Sequence, residues 1–299
     1  MSLILELQKI TNNVKFNEPM SQHTSFKVGG LVDIFLEIED DEELKKVIRL
    51  CHQFQTPYFI IGGGSNLLVK DKGIQGIVIK LVGNFKKIQV FDNGRVIAGA
   101  GALLPKLVNL TYKFGLSGLE FAVGIPGTIG GAVIGNAGVA EKSIANCLIS
   151  VNVLDKEEVK IKKLAPQNCG FSYRNSNLKK YIIVNVEILL TKSKICSIVY
   201  NLEGYKQKRK NTQPINFKSA GCIFKNPRGN FAGKLIDDAG LKGLRIGGAY
   251  ISHKHANFIL NDGTATADDI LNLMAKIKDK VFDKFGIKLE EEIVIIGAE

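Results

Sequence analysis

Two glycine-rich stretches are the first places where this sequence can do chemistry. They are Gly62-Gly63-Gly64-Ser65-Asn66 and Val123-Gly124-Ile125-Pro126-Gly127-Thr128-Ile129-Gly130-Gly131-Ala132, the second followed by Asn136-Ala137-Gly138. Loops without bulky side chains let several backbone N–H groups converge on one anion, and Ser65 or Thr128 can add a hydroxyl. Two such loops suit a diphosphate, and so a dinucleotide. Tight packing and turn geometry account for the same glycines without a ligand. Neither loop is a G-x-x-x-x-G-K-[ST] or G-x-G-x-x-G motif, and Gly99-Ala100-Gly101 lacks the third glycine, which disfavours a P-loop NTPase or a Rossmann dehydrogenase.

Acid–base and electrostatic candidates lie elsewhere. In Phe171-Ser-Tyr-Arg-Asn-Ser176, Arg174 can clamp a carboxylate or stabilise developing negative charge, or simply sit on the surface. Cys222, in Ser219-Ala-Gly-Cys-Ile-Phe-Lys-Asn-Pro227, carries a thiol that can donate a proton near neutral pH, or is a structural core residue. Leu289-Glu-Glu-Glu-Ile293 puts three acids in an apolar run. Alternation groups Glu291 with Leu289 and Ile293, and Glu290 with Glu292 and Val294, so at least one acid is expected to be partly buried with a raised pKa. Four histidines, of which only His253 and His255 are close, are too few for a metal cluster.

These groups need elements to hold them. Leu3, Leu7, Ile10 and Val14 predict an amphipathic helix over 1–16. A strand is expected over 32–38, and Asp40 with Glu43 forms a capping-box pattern ahead of a helix through Leu44, Val47, Ile48 and Cys51. A strand over 58–61 runs into the first glycine loop. Ile77-Val78-Ile79 is a further β-run, and Asn93-Gly94 between 88–91 and 95–97 signals a hairpin. A helix over 103–114 stops at Gly115. Strands follow at 149–154 and 182–190. The Lys-rich segment 205–210, closed by Pro214, is expected to be a linker. Beyond it come a short helix near 234–239, a strand over 257–260, a long helix over 266–285 with Thr266 and Asp269 as cap and Gly286 as stop, and a last strand over 287–296.

Composition narrows the class. With 299 residues, 45% hydrophobic and 23% charged, the chain is globular and long enough for about two domains, divided between 193 and 219. Five cysteines without CxxC spacing argue against a disulfide framework and a structural zinc site, and fit a reducing cytoplasm. The N-terminus has no signal-peptide pattern and no window is apolar enough for a membrane span. The net charge of +11 fits either steering of small anions or nucleic-acid binding; scattered basic residues and the lack of tryptophan favour the anions. Thirty-one glycines, about a tenth of the chain, exceed the usual ~7% and so ask for a reason.

Taken together the segments resemble the UDP-N-acetylenolpyruvoylglucosamine reductases (MurB). The matching stretches are His23-Thr-Ser-Phe-Lys-Val-Gly-Gly30, Gly62-Gly-Gly-Ser-Asn-Leu-Leu68, Gly118 through Ala132, Tyr173-Arg174-Asn-Ser176, Ala220-Gly-Cys-Ile-Phe-Lys-Asn-Pro227 and Leu289-Glu-Glu-Glu-Ile293. The resemblance implies an α+β chain with an FAD-binding fold of the vanillyl-alcohol oxidase type, in lobes 1–80 and 81–195, and a C-terminal α+β substrate-binding domain over 200–299 whose last strand returns to the FAD part. It implies NADPH-dependent reduction, through FAD, of UDP-N-acetylglucosamine enolpyruvate to UDP-N-acetylmuramate, in peptidoglycan precursor synthesis. A cytoplasmic monomer with no nucleic-acid partner is expected. The alternative is another FAD-dependent oxidoreductase or oxidase of the same fold.

Carried over by position, the resemblance gives Arg174 the enolpyruvyl carboxylate and the enolate-like intermediate, with Glu292 assisting, and makes Cys222 the proton donor where many members have Ser. The family register thus chooses Glu292 over Glu291. FAD contacts are expected from Gly62, Gly63, Gly64, Ser65, Asn66, Leu67, Gly124, Ile125, Pro126, Gly127, Thr128, Gly130, Gly131 and Asn136. Substrate contacts are expected from Tyr173, Arg209, Lys225, Asn226, Lys254 and His255. No metal is implied. The path from Tyr181 is too short for the Tyr-bearing loop of one family branch, and Val139-Ala140 departs from the aromatic common after Asn-Ala-Gly-Ala.

Overall fold

The computed structural model describes residues 2–298, and the contacts divide it into two compact units built from interleaved stretches. The first comprises residues up to Phe16, Ile34–Gly63 and Gly76–Lys208; the second comprises Asn17–Asp33, Gly64–Gln75 and Arg209 onward. Each has its own apolar core.

The first unit opens with α1 (Leu3–Ile10). The helix is shorter than the apolar spacing predicts, because Thr11, Asn12 and Asn13 are poor helix formers and the Thr11 hydroxyl accepts the Asn13 N–H, turning the chain so that Val14 begins a strand. Strands Val14–Pro19, Leu31–Ile38, Ile74–Leu81 and Tyr58–Ile61 lie in that order in one sheet, the last two parallel. Between them α2 (Asp41–Gln53) is capped by the Asp40 carboxylate on the N–H groups of Glu42 and Glu43, while Glu43 reaches back to the Glu39 N–H.

A second, antiparallel sheet has the order Ile161–Leu164, Leu148–Asp155, Tyr181–Leu189, Arg95–Gly99, Ile88–Val90. Its hairpin at Asn93-Gly94 forms as the sequence predicts, with Gly94 in the left-handed region. Helix α3 (Leu104–Lys113) and the short α4 (Ile129–Ile134) bury Leu104, Leu107, Ile129 and Val133 in the same core. Residues 205–210 are not a linker: they lie within α5 (Ile195–Thr212). Lys, Gln and Arg are good helix formers, a single Gly204 does not break the run, and the helix stops just before Gln213-Pro214.

In the second unit α6 (Ala232–Asp238) and α7 (Ala267–Phe285) pack on a three-stranded sheet of Arg245–Ile246, Ala249–Ile251 and Ile259–Asn261. The α7 cap forms as read, with Thr266 and Asp269 in a reciprocal box and Gly286 left-handed at the end. The Asp71 carboxylate adds a second cap, accepting the N–H groups of Ala267 and Asp268. The expected strand over 257–260 starts later, at Ile259, because Asn257 is committed to other bonds described below. The final ladder is short: only Val294–Ile296 pairs, in parallel with Leu67–Val69, and the acidic run ahead of it makes one isolated bridge, Glu291 with Phe224.

Candidate active site

In the first unit the two glycine loops pack directly on each other. A Cβ on Gly62 would lie 2.4 Å from the Thr128 hydroxyl oxygen, and one on Gly63 would lie 2.9 Å from Gly127 Cα, so neither position has room for a side chain. The packing reading is therefore correct for these two. Ligand chemistry survives beside it, because among the described residues no backbone bond takes up the N–H of Gly62, Gly63, Gly124, Gly127 or Thr128. Thr128 caps α4, its hydroxyl accepting the Gly131 N–H, while the Leu104 N–H donates to the Gly127 carbonyl. N–H groups without a backbone partner, lining a side-chain-free loop, suit a phosphate or diphosphate.

Arg174 belongs to the same unit, at the tip of a tight turn. Ser172 and Asn175 exchange backbone hydrogen bonds at 3.0 and 3.3 Å, leaving Tyr173 and Arg174 as the turn residues, with Arg174 at φ 54°. Its guanidinium lies over the exposed Tyr173 ring and donates from Nη1 to the Gly138 carbonyl at 2.9 Å. Asn136, also left-handed, donates from Nδ2 to the Ser172 carbonyl and accepts the Ala145 N–H at Oδ1.

The second unit holds the other candidates. Glu292 donates its N–H to the Ile223 carbonyl at 2.7 Å and accepts at its own carbonyl from Asn66 Nδ2 at 3.0 Å. The neighbouring Lys225 N–H donates to the Glu290 carbonyl. Asn257, only 3% exposed, clamps this segment from the other side: its amide accepts the Phe224 N–H and donates to the Phe224 carbonyl, and its carbonyl accepts the Ile223 N–H. Cys222 adjoins this doubly held Ile223-Phe224 pair. Gly64 is also tightly packed: a Cβ there would collide with the His23 carbonyl, and the Ser25 N–H donates to the Gly64 carbonyl while the Ser25 hydroxyl reaches the Ser219 carbonyl.

Arg209 projects from α5 toward Cys222 with its Nε buried and without a hydrogen bond. Burial lowers its pKa and the neighbouring Cys222 acts the opposite way. Such a cation lacks an anionic partner among the described residues, as a ligand-binding arginine would. Asn226 uses Oδ1 to cap α6 at Ala232, which leaves its Nδ2 as a donor. Lys254 closes the end of α5 on the Lys210 carbonyl, and Lys225 pairs at the surface with Glu290. Burial lowers the pKa of His255, and Nδ1 accepts the Asn257 N–H, so the neutral ring carries its proton on Nε2.

Glu291, half-buried, does not have a raised pKa. Burial alone would raise it; the Lys278 ammonium at 2.8 Å, with a backbone hydrogen bond, outweighs burial and lowers it. The clamp by Asn257 is not read from the sequence, although a lone amide ahead of Phe258-Ile259-Leu260 is a visible signal. No group of His, Cys, Asp and Glu suited to a metal exists among the described residues, and no helix there is long and apolar enough to cross a membrane.

Comparisons with known proteins agree with this layout. A family model described as an FAD binding domain matches residues 32–164, and one described as the UDP-N-acetylenolpyruvoylglucosamine reductase C-terminal domain matches 213–296. The UDP-N-acetylenolpyruvoylglucosamine reductase of Clostridium botulinum (strain Hall) is 44% identical over 302 residues, covering 100% of this chain and 98% of that protein. The crystal structure of the Thermus caldophilus reductase superposes with a TM-score of 0.82 at 39% identity, over 93% of this chain and 97% of that one. A berberine bridge enzyme variant, at 16% identity and a TM-score of 0.52 over 65% of this chain and 44% of its own, shares the fold alone.

Proposed function

The chain belongs to the UDP-N-acetylenolpyruvoylglucosamine reductase family, and on that premise we propose that it reduces the enolpyruvyl ether of UDP-N-acetylglucosamine to UDP-N-acetylmuramate, with FAD bound and NADPH as the hydride source. The fold is the α+β FAD-binding type with a reductase C-terminal domain. When bound, FAD relays hydride equivalents from NADPH to the substrate. The side-chain-free loops, and the N–H groups of Gly62, Gly63, Gly124, Gly127 and Thr128 without a backbone partner, fit its diphosphate. Gly64, Ser65, Asn66, Leu67, Ile125, Pro126, Gly130 and Gly131 complete the proposed contact set, while the amide of Asn136, expected among them, is bonded at both ends to the protein.

Hydride addition at C3 of the enolpyruvyl group leaves charge at C2 that spreads into the adjacent carboxylate. Arg174 is assigned to that charge, since a guanidinium can bond both carboxylate oxygens. Cys222 is assigned to deliver the proton to C2, and Glu292 to assist the charge change. Arg209, Asn226 and His255 offer donors suited to an anionic sugar nucleotide, and Tyr173, Lys225 and Lys254 are further proposed contacts. The observation that carries the reading is the backbone pairing of Glu292 with Ile223, which brings the segments of a thiol and a carboxylate from distant parts of the sequence side by side.

By function, residues 1–80 and 81–195 are assigned to the flavin and 200–299 to the substrate. A monomeric cytoplasmic enzyme of peptidoglycan precursor synthesis goes with the same reading. FAD-reconstituted protein should oxidise NADPH in proportion to added UDP-enolpyruvyl sugar. Equal oxidation without the sugar, with oxygen consumed, would overturn it in favour of an oxidase.

A further inference from the structure

We propose that Asn136 is a positioning residue for Arg174. The inference rests on the assignment of Arg174 to the substrate's developing charge. Arg174 occupies a left-handed backbone at φ 54°, which an L side chain with a Cβ adopts only when its surroundings impose it. The Ser172–Asn175 backbone pair closes the turn, and two contacts from the segment 136–138 hold it in place. Asn136 Nδ2 holds the Ser172 carbonyl at the base of the turn at 2.9 Å, and its Oδ1 accepts the Ala145 N–H, so one amide ties the turn to the segment that follows α4. Two residues on, the Gly138 carbonyl accepts the guanidinium.

The Asn136 amide therefore fixes where the Arg174 backbone sits, while Gly138 fixes where its charge points. No side chain fits at Gly138, where a Cβ would lie 2.3 Å from the Lys142 carbonyl oxygen and 2.9 Å from Ser143 Cα. With both ends of its amide bonded to the protein, Asn136 acts on the reaction through the arginine.

The test is a double-mutant cycle on the FAD-loaded protein, with anaerobic half-reactions read separately and thermal stability measured beside them. Asn136→Ala should slow reoxidation by the UDP-enolpyruvyl sugar on the order of 100-fold, the cost of roughly 1 Å of misplacement, and slow flavin reduction by NADPH by a far smaller factor. In an Arg174→Ala background it should cause no further loss, because the group it positions is gone. Asn136→Asp keeps the acceptor toward Ala145 but loses the donor toward Ser172, so it should fold and lose the same rate.

Wild-type reoxidation in Asn136→Ala, or an equal additional loss on the Arg174→Ala background, overturns the proposal. If Arg174→Ala itself reoxidises normally, the assignment of Arg174 falls and this inference with it. Loss in Arg174→Ala with none in Asn136→Ala removes the inference alone.

Discussion

Replacing Gly131 with alanine separates flavin contact from packing. Gly131 lies in α4 with a φ outside the left-handed region, and a Cβ there meets only the Thr128 hydroxyl oxygen, at an ordinary 3.7 Å. Alanine is a better helix former than glycine by about 0.5–1 kcal/mol. With thermal midpoints moving roughly 2–4 °C per kcal/mol in a unit of this size, flavin-free Gly131→Ala should melt about 1–4 °C above the parent.

Flavin affinity should move the other way. If the open face of this loop receives the cofactor, an added methyl costs about 1–3 kcal/mol of overpacking, roughly 5- to 150-fold in Kd. Gly63→Ala provides the contrast. Its Cβ would meet the Gly127 backbone at 2.9 Å, so the loops must part and flavin-free stability should fall, again by about 1–3 kcal/mol. Differential scanning fluorimetry of flavin-free protein and a flavin-fluorescence titration read both quantities. A lower midpoint for Gly131→Ala would refute the packing argument, and parental flavin affinity would remove Gly131 from the cradle.

Cys222→Ala should block product formation while NADPH still reduces the flavin at nearly the parental rate, and Cys222→Ser should retain substantial turnover; normal turnover by the alanine variant would place the proton source elsewhere. Glu292→Gln should lower turnover by at least 10-fold, in line with the ~10²–10⁴-fold usual for a positioned acid–base group, whereas Glu291→Gln should not; steady-state assays giving the reverse order would show the register to be off by one. The pKa of Glu291 is lowered in the fold, so its ion pair with Lys278 stabilises above the ordinary value of 4.5 and is lost as pH falls through the folded value. The midpoint gap between parent and Glu291→Gln should therefore close below about pH 4, and a gap independent of pH would mean the Lys278 contact does not stabilise.

Much of the scaffold was legible because its signals are local. Asp40, Thr266 with Asp269, Asn93-Gly94, Gly115 and Gly286 each set a cap or turn through neighbours a few residues away, and the structure uses all of them as read. Val14 shows where locality fails: its spacing continues the helix, but the Asn13 N–H turns to the Thr11 hydroxyl and the chain enters a sheet. The Lys-rich run misled for the opposite reason, since charge suggested solvent and a linker while the side chains' helix propensity decided.

At the candidate site, residue types were readable but their holders were not. Nothing near Glu292 in sequence shows that Asn66 and Ile223 fix its backbone, and nothing near Cys222 shows that Asn257 clamps the segment beside it. Those bonds span more than thirty residues, so only the fold reveals them. The lowered pKa of Glu291 was illegible for the same reason, since the Lys278 that lowers it comes from another element.

The most direct test of the account is to reduce the FAD-loaded protein with NADPH, remove oxygen, and mix it with the UDP-enolpyruvyl sugar while following the flavin spectrum. The account predicts immediate return of the oxidised flavin spectrum with one UDP-N-acetylmuramate formed per flavin. A flavin that stays reduced in the presence of the sugar, yet reoxidises rapidly when air is admitted, would contradict it.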